Sequence, residues 1–122
     1  MKLKGVEQLV VFQKAYNVSL EIHRTTLVFP KIEQFGLAEQ MRSASKSIAA
    51  NLAEGFAKRD SQPEFKRFIK IAIGSSDEMQ VWLRYCSDLG YIEEKDYFRW
   101  KAKYVEISKM LVGLVKARTS GI

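Results

Sequence analysis

This chain has little of the residue chemistry on which most metalloproteins and many enzymes depend. Its 122 residues include one cysteine, one histidine and two prolines. The lone cysteine, Cys86, cannot close an internal disulfide, so nothing demands an oxidising compartment. One histidine and one cysteine do not make any of the usual zinc sets, and no Ser-His-Asp arrangement is credible around His23. No apolar run approaches the length of a membrane span. The opening MKLKGVEQ carries charge without the apolar stretch of a secretory signal. The expectation is a cytoplasmic protein with no membrane partner and no metal or cofactor.

What is present is a globular composition with a basic balance. Hydrophobic residues make up 47% and charged residues 28%, which suits a buried core and excludes disorder as the main state. At this length a single domain, residues 1–122, is expected. The net charge of +6 suggests nucleic acid or another anionic partner, and solvated lysines for solubility would give the same balance.

Apolar periodicity predicts four helices and no strands. The first runs from about Glu7 to Thr26 and carries two stripes, Leu9-Phe12-Tyr16 and Val11-Ala15-Val18-Ile22. The second spans about Gly36 to Ala57, with Leu37, Met41, Ala44, Ile48 and Asn51 at alternating four- and three-residue steps. Pro30 and Pro63 fall where helices should connect. Ser61-Gln62-Pro63-Glu64 reads as a capping box that opens the third helix. That helix continues to Leu89, where Gly90 can supply a left-handed stop. The fourth begins near Glu93, with an acidic first turn suited to the helix dipole, and ends near Arg118.

The third helix repeats every seven residues, at Phe65-Ala72-Met79-Cys86 and at Phe68-Ser75-Trp82-Leu89. The fourth does the same at Tyr97-Tyr104-Leu111 and Trp100-Ile107-Leu114. Such spacing brings helices together at shallow angles, and short connections make neighbours antiparallel. The expected fold is all-α, an up-down antiparallel four-helix bundle.

One bundle leaves some residues without a purpose. In that heptad frame Ile73, Gly74 and Val81 fall on the side of the third helix away from the seam. A glycine inside a helix costs about 1 kcal/mol relative to alanine. Phe98, Val105 and Val112 widen the apolar arc of the fourth helix. The second is crowded with Ala44, Ser45, Ser47, Ala49, Ala50 and Ala53, which allow close approach. These features predict a homo-oligomer with Ile73, Gly74 and Val81 at a subunit contact.

Catalytic roles find no candidates. A di-metal bundle needs Glu-x-x-His, and Leu20 occupies the place of that glutamate before His23. Cys86 takes a core heptad position and is read as inert. Gly74-Ser75-Ser76 lies mid-helix, unlike a phosphate loop that precedes one. Asn51 is read as an amide that fixes register, and Glu54 as a helix pair with Lys58. The protein is therefore expected to be non-enzymatic.

Basic residues do cluster. Lys58, Arg59, Lys66, Arg67 and Lys70 stand against only Asp60 and Glu64 over thirteen positions, with Phe56 just before them. Such a patch suits phosphate contacts better than base reading, the bland alternative being a solvated helix face. Two function classes stay open: a nucleic-acid-binding accessory protein and a protein-interaction scaffold.

At these residues the chain resembles a known family. The matching segments are FP-x-x-E-x-x-G-L at Phe29 to Leu37, Q-x-R-x-A at Gln40 to Ala44 and S-I at Ser47-Ile48. N-x-A-E-G at Asn51 to Gly55, A-x-G-S-x-x-E at Ala72 to Glu78 and L-G-Y-I at Leu89 to Ile92 continue the match over nearly the whole chain. Together they resemble the small four-helix-bundle proteins encoded by intervening sequences in bacterial 23S ribosomal RNA genes. The same family includes the accessory variability determinant of diversity-generating retroelements. The resemblance implies a cytoplasmic homopentamer, a five-fold barrel of bundles. In the retroelement branch it also implies a basic surface that contacts RNA or DNA and a reverse transcriptase. It marks Asn51, Glu54 and Gly55 as a structural motif. The family often has two adjacent arginines where this chain has Arg42-Ser43, so Arg42 joins the candidate phosphate contacts and a second one is missing.

Overall fold

Apolar stripes at helical spacing set the four long elements of the structure, a computed structural model that describes residues 5–119. Residues 1–4 of the opening segment and residues 120–122 lie outside it. The helices are α1 (Val10–Leu27), α2 (Leu37–Ala57), α3 (Gln62–Asp88) and α4 (Glu94–Thr119). No strand occurs among the described residues. In sequence order each helix packs on the next, and α4 returns to α1. Ser47 Oγ meets Ser75 Oγ at 2.9 Å between α2 and α3, and the Ser76 hydroxyl donates to the Tyr104 carbonyl at 3.0 Å between α3 and α4. Up-down packing of the four helices follows.

The core runs along the bundle axis through Ile22, Met41, Ile48, Leu52, Ile69, Met79, Leu83 and Leu111, all fully buried. Two sequence expectations shift here. The first helix starts at Val10, after a 3-10 turn over Gly5–Gln8, because Leu9 adopts an extended backbone (φ −72°, ψ 129°). Its Leu9-Phe12-Tyr16 stripe flanks the core, and Tyr16 is half exposed. The second stripe of α3 is also displaced. Phe65, Ala72, Met79 and Cys86 are buried as expected, but their partners inside are Ile69, Ser76 and Leu83. Phe68, Ser75 and Trp82 sit at the flank, and Leu89 is exposed. A four-then-three step fits the 3.6-residue turn of a straight helix, and the alternative one residue earlier has the same period.

Helix ends follow their local chemistry. Gly90 takes φ +77°, and the Tyr91 amide donates to the Cys86 carbonyl at 2.8 Å, closing α3. Ser61 Oγ accepts from the Glu64 amide at 3.4 Å. The Glu64 carboxylate takes Arg67 at 2.9 Å, so the cap has one arm of the expected box.

Gly55 is buried where α2 crosses α3. A Cβ there would lie 3.2 Å from Ile69 Cδ1 and from Phe68 Cβ, and 3.3 Å from the Phe65 carbonyl oxygen. One turn earlier, Asn51 donates to the Ser47 carbonyl and hydroxyl at 2.8 and 3.0 Å, and that hydroxyl meets Ser75. The Asn51 and Gly55 positions therefore fix the spacing and register of the two helices. Glu54 points outward and pairs loosely with Lys58 at 3.9 Å.

Candidate nucleic-acid interface

An up-down bundle places the α2–α3 connection at the same end as the start of α1 and the finish of α4. The basic run from Lys58 to Lys70 therefore lies at that end. Its residues divide into two groups. On the α2 side, Lys58 and Arg67 lie over the Phe68 ring, 4.9 and 4.3 Å from its centroid. Arg59 stacks on Phe56 at 4.1 Å and donates to the Phe56 carbonyl. Each guanidinium or ammonium is held by an aromatic face and remains exposed. Arg67 also holds the Glu64 carboxyl below its ordinary range through their hydrogen bond.

Lys66 and Lys70 belong to the other flank of α3. They share a row with Ile73 and Asp77 at four-, three- and four-residue steps, and Asp77 accepts from Ser108 of α4 at 2.8 Å. This row opens into a cleft of about 480 Å³ between α3 and α4, lined by Ile73, Asp77, Ser108, Lys109, Val112, Gly113 and Lys116. Among the described residues Lys66, Lys70 and Lys109 have no ion-pair partner. Arg118 closes the same end. Its ring-face contact with Phe65 is at 5.0 Å, its guanidinium donates to the Arg59 carbonyl, and its own carbonyl accepts from Gln62 at 2.7 Å.

Sequence reading had not included Lys109, Lys116 and Arg118 in this surface. The first two are seven residues apart, a spacing that puts them on one side of α4. Only the antiparallel return of α4 brings them beside residues more than thirty positions earlier.

Arg42 is placed elsewhere. It lies about 24 Å up α2 from Lys58 at 1.5 Å per residue, near the opposite end. Its guanidinium donates to Thr26 Oγ1 at 3.0 Å, Gln34 Oε1 at 3.3 Å and the Gln34 carbonyl at 2.9 Å. Those bonds tie down the α1–α2 connection. The oligomer candidates also separate. Gly74 and Val81 face outward, and among the described residues a Cβ on Gly74 would meet nothing within 4 Å. Ile73 is half-buried against the core at the floor of the α3–α4 cleft, so it does not share their face.

The lone histidine and the lone cysteine each have a close partner. His23 Nδ1 lies 3.0 Å from Lys46 Nζ, and Lys46, burial, Arg42 and Arg24 all push the imidazole down from its ordinary value. Cys86 touches Met41 Sδ at 3.2 Å, and burial pushes its thiol up to about 12. No group of three or more His, Cys, Asp and Glu side chains among the described residues is placed to hold a metal ion. No helix there is long and apolar enough to cross a membrane.

The family model of the 23S rRNA-intervening sequence protein matches residues 7–113 of the chain. The chain belongs to that family. Its fold is also that of a crystal structure from Bacteroides thetaiotaomicron VPI-5482, described as a protein with unknown function from the S23 ribosomal protein family. The two superpose with a TM-score of 0.79 at 24% identity, covering 88% of this chain and 96% of the other. No curated protein matches the chain. Within the 23S rRNA-intervening sequence family frame, the residues that carried the resemblance have visible work. Phe29 plugs the bundle end against Tyr91, with ring centroids 5.3 Å apart. Glu33 accepts from the Tyr91 hydroxyl at 2.8 Å and from the Leu37 amide at 3.4 Å, at the start of α2. A Cβ on Gly36 would press on that carboxylate at 3.2 Å.

Proposed function

We propose that this protein is a non-enzymatic, homo-oligomeric accessory protein that holds nucleic-acid backbones on the basic end of its bundle. The observation that carries the reading is the convergence of Lys58, Arg59, Lys66, Arg67 and Lys70 with Lys116 and Arg118 at one end. The flat faces of Phe56, Phe65 and Phe68 support several of these cations. Cations spread over an end and a shallow cleft neutralise phosphates; they do not form the shaped element that enters a groove to read bases. Repetition of the patch in an oligomer, a pentamer by the family resemblance, multiplies weak contacts through effective concentration.

A scaffold for another protein, such as a reverse transcriptase, is the second reading. It is favoured by the exposed apolar residues of α4, Phe98 and Val112, which backbone binding does not use. Replacing Lys66, Arg67 and Lys70 together by glutamine separates the two. The proposal expects weaker binding to several unrelated DNA and RNA sequences alike, with assembly intact. Equal binding of variant and wild type at low salt would leave the scaffold reading.

A further inference from the structure

The most exposed large apolar side chains among the described residues lie on the connection between α1 and α2. Val28 and Ile32 are each 85% exposed and Phe35 is 93% exposed. Scattered singly, such residues need no explanation; three within eight positions of one turn do. This turn is held rigidly. Gln34 Nε2 donates to the Thr26 and Phe29 carbonyls at 2.9 and 3.0 Å, and Arg42 grips Gln34 and Thr26 from α2. A 3-10 turn over Lys31–Glu33 sets Ile32 on its outside. The result is an apolar knob whose order precedes any contact, which lowers the entropy cost of docking.

We infer that this knob seats on the outward face of α3 in a second copy of the chain. The inference rests on the homo-oligomer proposed above. That face offers Ile71, Val81 and Tyr85, all about half exposed, beside the open space over Gly74. The charges are complementary. Lys31 is exposed on the knob and Glu78 is exposed on the face, and among the described residues neither has an ion-pair partner. The knob is at the end of the bundle and the receiving face is on its side. Such a contact joins two different patches, so each chain offers both and copies add head to tail, closing into a ring where the rotation between them closes. The basic end is opposite the knob and stays open.

The test uses two variants of the full chain, Phe35→Asp on the knob and Val81→Asp on the face, read by sedimentation velocity. Both positions are exposed, and helix content by circular dichroism controls for folding. Each variant alone is expected to be monomeric where wild type assembles. Mixed in equal amounts they are expected to form a one-to-one dimer that grows no further, because one intact knob meets one intact face. Lys31→Glu should weaken assembly, and adding Glu78→Lys in the same chain should restore it. If Phe35→Asp assembles as wild type does, or if the mixture stays monomeric, the knob does not dock on this face and the oligomer has another contact. A monomeric wild type would overturn the oligomer itself, leaving the knob to a different protein.

Discussion

Burial of the Tyr104 hydroxyl without a hydrogen-bond partner among the described residues strips that group of its hydration and returns nothing. Its ring fills the centre of the bundle, fully buried, and burial pushes the phenol above its ordinary value. Tyr104→Phe should therefore raise stability by about 1 kcal/mol in urea unfolding; a clear loss would show that the hydroxyl is bonded after all. Glu21 is the opposite case. Partial burial pushes its carboxyl up, but hydrogen bonds from Arg99 at 2.7 Å, Lys103 at 3.1 Å and Trp100 at 3.3 Å leave it below the ordinary value of 4.5. A carboxyl whose folded value is depressed adds stability that is complete above 4.5 and fades as pH falls towards the folded value. Thermal midpoints should fall on acidification below about 4.5, and Glu21→Gln should flatten that limb while lowering the midpoint at neutral pH. Identical acid limbs in both proteins would contradict the clamp. Neither role was legible in the sequence, because Glu21 meets residues 78 and more positions away. The partners of Arg42 were hidden for the same reason: a cation's sequence neighbours do not reveal the oxygens a fold supplies.

At the scale of elements, glycine separates packing from exposure. Gly55 and Gly74 look alike in sequence, each inside a helical run. A Cβ on the first would press on three atoms of α3, and among the described residues a Cβ on the second would meet nothing within 4 Å. Gly55→Ala should destabilise the bundle by about 1–3 kcal/mol through overpacking. Gly74→Ala should stabilise the lone chain by about 1 kcal/mol through helix propensity. The second value is best read in the Phe35→Asp background, where association should not mask it. A stabilised Gly55→Ala would mean the helices can part at no cost. In the wild-type background, Gly74→Leu should lower the assembled fraction while leaving helix content intact. Four helices, their order and the stop at Gly90 were all legible, because apolar period and turn chemistry are local. The register of α3 was not: Phe68-Ser75-Trp82 and Ile69-Ser76-Leu83 share one period, and only the position of α2 and α4 chooses between them. Ile73 was misread with them. One step of register moved it from the outer face to the floor of a cleft.

For the whole molecule, the two ends of the bundle differ in kind. One collects cations over aromatic faces, and the other presents an apolar knob. The basic run was legible as a run, since five cations in thirteen residues need no fold to be noticed. Its extension along Lys109 and Lys116 depended on the antiparallel return of α4. If this end holds phosphates, binding must weaken as salt rises. Binding of one duplex should be measured from low to physiological salt, for wild type and for the Lys66→Gln, Arg67→Gln, Lys70→Gln variant at matched assembly. The logarithm of the association constant should fall linearly with the logarithm of salt concentration. Loss of three phosphate contacts per engaged chain should make that slope shallower by about 2.7, at about 0.9 for each contact. Parallel lines of equal height for the two proteins would contradict the claim.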